Sequence, residues 1–206
     1  YSMWYLIIQH EWYVHNGNID FLRHHRAYIT GVIDRIDECV DEEGNENLAK
    51  QRFLDWPSSP NQPGVEAGCR ALLSWALKDA EVLCNLLEEQ EHAKKCRAIS
   101  KRLKKQIKQP NGLKQAAALM SIAGLMKPEQ ACSEVISVDG AKDFSTFYGY
   151  YMLQALAQAG EYQQALDIIR QYWGGMLDLG ATTFWEDFNL DWIHNAARLD
   201  DFVPEG

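Results

Sequence analysis

Apolar residues recur three and four positions apart along most of the chain, the spacing of one face of an α-helix. Over 2–16 that spacing predicts a helix with Trp4, Ile7, Ile8, Glu11 and Trp12 on one side. Asn16-Gly17-Asn18 closes it, since Gly and Asn accept the left-handed conformation of a helix end. A second helix starts near Asp20 and runs to about Cys39, with Phe21, Tyr28, Ile29, Val32, Ile33 and Ile36 at three- and four-residue spacing. The acidic run from Asp37 to Asn47, which contains Gly44, reads as a loop. Residues 65–89 form an amphipathic helix with Cys69, Leu72, Leu73, Ala76, Ala80, Leu83, Cys84 and Leu87 on its inner stripe. Another covers 91–108, with Ala93, Cys96, Ile99, Leu103 and Ile107 inward, and Pro110-Asn111-Gly112 breaks it.

Shorter helices follow over 113–125, 128–136, 143–159 and 161–173. Pro128 suits a first turn, where its missing N–H costs nothing. The helix over 161–173 places Tyr162, Ala165, Leu166, Ile169, Tyr172 and Trp173 inward and stops at Gly174-Gly175. Leu190 to Ala197 is one short helix or irregular. No segment alternates with period two, so the expected fold is all-α, built of antiparallel helix pairs with tight links.

Two links are longer than the rest. Phe53 to Gly64 holds Pro57, Pro60 and Pro63, which forbid a helix, and carries Asp55-Trp56. Gly180-Ala181-Thr182-Thr183-Phe184-Trp185-Glu186-Asp187 repeats that pairing of indole and carboxylate. An indole offers a flat apolar surface for a sugar ring, and a carboxylate in such a wall is partly desolvated, which favours proton transfer. Each link also has a plainer reading, as a turn packed by its aromatic with the acids in water. Links of one class in an array of helix hairpins lie at one end, so both pairs are expected to face a common cavity.

Composition narrows the classes of function. The chain has 206 residues, 47% hydrophobic and 24% charged, enough for a sizeable core. Its net charge of −9 argues against nucleic acid as a partner. The basic run from Lys94 to Lys108 is interrupted by apolar residues at helical spacing, as in the solvated face of a helix. Five cysteines without a CxxC pair indicate neither a disulfide framework nor a metal site, and no cofactor motif is found. No apolar run reaches the length of a membrane span. The first residues, Tyr1-Ser2-Met3-Trp4, fall in mid-pattern without an initiator Met. Residues 1–206 are therefore expected to be a fragment of one helical domain, partnered by the rest of a longer polypeptide that also sets its compartment. Ala155 to Leu166 looks like a tetratricopeptide turn, but nothing recurs at that repeat's period of about 34 residues. A non-enzymatic helical interaction module remains the competing class.

Tyr172-Trp173-Gly174-Gly175-Met176-Leu177 followed by Gly180-Ala181-Thr182-Thr183-Phe184-Trp185-Glu186 resembles the α-L-rhamnosidases of glycoside hydrolase family 78. Ser2-Met3-Trp4, Gly17 to Leu22, Leu54-Asp55-Trp56 and Ala155 to Leu166 resemble further segments of that family in the same order. The resemblance implies an (α/α)6 toroid of helix hairpins, of which this chain is a part, and inverting hydrolysis of terminal α-L-rhamnosides. It implies Glu186 as general base. It further implies Trp185, Trp56 and Trp4 as walls of the sugar pocket, Asp55 as a partner of sugar hydroxyls, and a rhamnose-containing glycan or glycoside as ligand. No metal or cofactor is implied. Leu54 stands where the family often has Gly. The family's acidic, Arg-containing segment with the general acid has no match in these residues, nor has its late His-Gly-Trp motif, which His194 does not supply. The fragment alone is therefore expected to be inactive. Another (α/α) toroid glycosidase, or an inactive sugar-binding relative, fits the same residues.

Overall fold

The computed structural model describes residues 1–47 and 52–194. Among these residues the chain is all-α. The helices are α1 (Ser2–Asn16), α2 (Ile19–Cys39), α3 (Gln62–Leu86), α4 (Gln90–Leu103), α5 (Lys114–Ile122), α6 (Pro128–Ala131), α7 (Thr146–Gln158) and α8 (Tyr162–Asp178). A π-helical turn, Cys132–Ile136, continues α6, and a 3-10 turn spans Leu190–His194. Asn195 to Ala197, the end of the last expected element, lie outside the described residues. None of the described helices is long and apolar enough to cross a membrane. The chain divides into two compact units, Tyr1–Arg52 with Cys69–Gln109, and Phe53–Gly68 with Pro110–Gly206. α3 starts in the second and runs on into the first.

In the first unit α1 packs on α2 and α2 on α4. Gly17 makes the turn between α1 and α2 with φ 66°, its N–H bonded to the Tyr13 carbonyl at 2.7 Å. Asn18 caps α2, its side-chain oxygen accepting the N–H groups of Asp20 and Phe21 at 3.0 and 3.2 Å. The helix thus starts at Ile19, just ahead of Asp20. Leu6, Ile7 and Gln9 are buried on α1, while Ile8, expected inward, is exposed. Tyr28 is likewise exposed on α2. α4 ends at Leu103, which leaves Ile107 exposed rather than inward. The Leu103 carbonyl is taken by the Arg70 guanidinium at 2.6 Å. That guanidinium also holds the Gly44 carbonyl at 2.8 Å and the Glu46 carboxylate at 2.7 Å, clasping the acidic loop with a buried ion pair.

In the second unit α5 packs against α6, the π-helical turn and α7, and α7 against α8. α5 is buried from Lys114 to Ser121. The Lys114 ammonium donates to the Val138 and Gly140 carbonyls at 2.6 and 2.7 Å, and burial pushes its pKa down to about 8. α8 does not stop at Gly174-Gly175. It continues to Asp178, and the reversal comes at Gly180, with φ 88°. Gly175 lies inside the helix because Phe188 and Ile193 close on it. A methyl there would stand 3.2 and 3.0 Å from their side chains. The buried face of α8 is Ile168, Tyr172, Gly175 and Met176. Tyr162, Leu166 and Ile169, expected inward, are exposed.

Candidate functional site

The segment after Gly180 is pinned on both sides of Glu186. Thr146, the first residue of α7, donates its hydroxyl to the Trp185 carbonyl at 2.6 Å. Tyr172, buried on α8, donates to the Phe188 carbonyl at 3.0 Å. Phe188 is buried and meets Tyr172 and Trp185 edge to face, with ring centroids 5.3 and 5.8 Å away. These contacts order the backbone around a carboxylate that is itself exposed. Trp185 is half-buried, and Phe184 points outward.

Glu186 borders an open cleft of about 420 Å³, lined otherwise by Thr146, Phe147, Tyr150 and Tyr151. Ligand clefts of small molecules start at about 300 Å³. Phe147 and Tyr150 are 56% and 65% exposed, so their rings are available as a wall rather than spent in the core. The sequence reading did not assign these three aromatics to a site. Their signal was present: the start of α7 carries more rings than one buried stripe accommodates.

The Asp55 link is a turn stitched by its own polar groups. Asp55 Oδ1 accepts the Ser58 N–H at 3.0 Å, and the Ser58 and Ser59 hydroxyls donate to the Asp55 carbonyl at 3.1 and 3.0 Å. Oδ2 accepts from the amide of Gln115, on α5, at 3.0 Å. Trp56 is 66% exposed and meets Phe53 edge to face, so it does not plug the core.

Tyr172, buried on α8, feels the charge of both links. Burial pushes that phenol up to about 12, and the negative charges of Asp187 and Asp55 add to the shift, while hydrogen bonding at Thr146 and Phe188 opposes it. Asp55, Trp56, Trp185 and Glu186 belong to one unit. Trp4 belongs to the first unit, where it meets Trp75 edge to face at 5.8 Å. Among the described residues no group of three or more His, Cys, Asp or Glu is placed to hold a metal ion.

No protein-family model matches the chain, and no curated protein matches it either.

Proposed function

We propose that the chain carries the base side of an inverting glycosidase acting on terminal α-L-rhamnosides, as part of an (α/α)6 toroid. The observation that supports this most is the placement of Glu186. It is an exposed carboxylate held between two anchored carbonyls, at the edge of an aromatic cleft, in the unit that also carries Asp55-Trp56. In this reading Glu186 removes a proton from a water molecule. The water attacks the anomeric carbon from the face opposite the leaving oxygen, which a second carboxyl group protonates. The two carboxyls of such a pair stand about 6.5–9.5 Å apart, leaving room for the water. Phe147, Tyr150, Trp185 and Trp56 supply apolar faces for sugar C–H groups, and Asp55 accepts from sugar hydroxyls.

Glu186→Gln keeps the volume of the side chain and removes its basicity. In the protein that carries this chain, it is expected to lower hydrolysis of an aryl α-L-rhamnoside by about 100-fold or more, the usual contribution of a general base. Activity within about tenfold of wild type ends the assignment.

One observation favours a second reading, sugar binding without turnover. The cleft at Glu186 is bordered by no other carboxyl group among the described residues. Binding of the glycoside with no hydrolysis in the complete protein selects that reading.

A further inference from the structure

Gln115 is an anomaly among buried residues. It sits in the first turn of α5, a helix otherwise buried mostly through Ala, Leu and Met, and it is 1% exposed. An apolar side chain of similar length would fill the same space. Gln115 instead brings an amide into the interior and satisfies only half of it. Its Nε2 donates to Asp55 Oδ2 at 3.0 Å, while its Oε1 is buried without a hydrogen-bond partner. An unsatisfied buried acceptor costs more than one ordinary hydrogen bond contributes. As a purely structural residue Gln115 is therefore a poor choice. Side chains that lower stability in this way are expected where function needs them.

The function is visible in what the amide holds. The Asx-type turn around Asp55 engages Oδ1 through Ser58, and the bond from α5 engages Oδ2, so both oxygens of the carboxylate are held. Each carboxylate oxygen retains a further lone pair, so Asp55 can still accept from a ligand. Resting on the glycosidase reading above, we propose that Gln115 is a positioning residue that orients the Asp55 carboxylate for recognition of sugar hydroxyls. It acts through Asp55 and touches no substrate itself.

The test separates positioning from packing. Gln115→Met preserves length and apolar contact, and Gln115→Glu preserves size while placing a second carboxyl against Asp55. Binding of methyl α-L-rhamnoside to the protein that carries this chain is followed by tryptophan fluorescence, together with the thermal midpoint of each variant. Gln115→Met is expected to weaken binding about tenfold or more, the equivalent of one hydrogen bond to a charged group, with the midpoint unchanged or raised. Gln115→Glu is expected to weaken binding most at neutral pH and to regain it as the pH falls, because one shared proton restores the hydrogen bond. Tyr172, whose phenol feels the charge of Asp55 and Asp187 alike, is a titratable neighbour of Asp55. Equal binding by Gln115→Met overturns the proposal alone. So does a parallel fall of midpoint and affinity, which assigns Gln115 to the core, and so does a pH-independent Gln115→Glu. A wild-type protein that binds no glycoside overturns the carbohydrate reading, and this role with it.

Discussion

Asp79 shows what a single buried carboxyl does to the stability of the first unit. It lies on α3 with 8% of its surface exposed. Oδ1 is 3.1 Å from His10 Nδ1, while Oδ2 is buried without a partner. Burial pushes its pKa from 3.8 up to about 6. The neighbouring Glu11 adds to that shift, and His10 and Trp75 oppose it. The folded chain therefore retains a proton that the unfolded chain releases, so this group's contribution is full below about pH 4 and is lost as the pH rises through about 6. A shift of about two units corresponds to about 3 kcal/mol between those limits, as an order of magnitude. Asp79→Asn has no such titration. Its unfolding free energy in urea is expected to stay level between about pH 4 and 6, where the wild type declines. Equal slopes in the two proteins would assign the decline to other groups. His10 and Asp79 were not paired by sequence reasoning, because their partnership depends on how α1 meets α3 and not on spacing within either helix.

At the scale of elements, the centres of the helices were legible and their ends and faces less so. The stripe of α3 from Cys69 to Cys84 is buried as its spacing requires. The end of α8 was misread because a Gly-Gly pair, taken locally, is a helix stop. What keeps Gly175 helical is contact with Phe188, a residue beyond the turn. α8 is also apolar over more than one face: Tyr172 turns inward as expected, but Ile168 is buried where Leu166 and Ile169 were expected to be. The two glycines give a paired test. Gly174 has its nearest neighbour, the Ile169 carbonyl, 3.9 Å from where a methyl would stand. Gly174→Ala is expected to stabilise by about 0.5–1 kcal/mol, the difference in helix propensity. Gly175→Ala meets Phe188 and Ile193 at 3.2 and 3.0 Å and is expected to destabilise by about 1–3 kcal/mol, as overpacking does. Thermal unfolding of both variants checks the contrast, and stabilisation by Gly175→Ala would mean that Phe188 is not held against α8. The candidate residues follow the same rule. Trp185-Glu186 and Asp55-Trp56 stood out in the sequence because each sets an indole beside a carboxylate. Tyr150 and Gln115 did not, since an aromatic on an amphipathic helix reads as core and a Gln near a helix start reads as solvated.

At the scale of the whole molecule, the described residues leave more apolar surface in water than their cores require. On α8, Tyr162, Leu166, Ile169 and Leu177 are 65%, 47%, 40% and 58% exposed. Their spacing of three, four and eight residues places them on one side of the helix. Apolar residues exposed singly need no explanation, but a contiguous row is the kind of surface that proteins cover. The net charge of −9 opposes self-association through it, and added salt screens that repulsion. The chain is therefore expected to bind an environment-sensitive apolar dye while folded. Leu166→Lys with Leu177→Lys is expected to lower that signal severalfold without lowering the thermal midpoint, since neither side chain is buried. A midpoint that falls in the double variant would show that these residues serve the core. Unchanged dye binding with an unchanged midpoint would move the accessible apolar surface elsewhere on the chain.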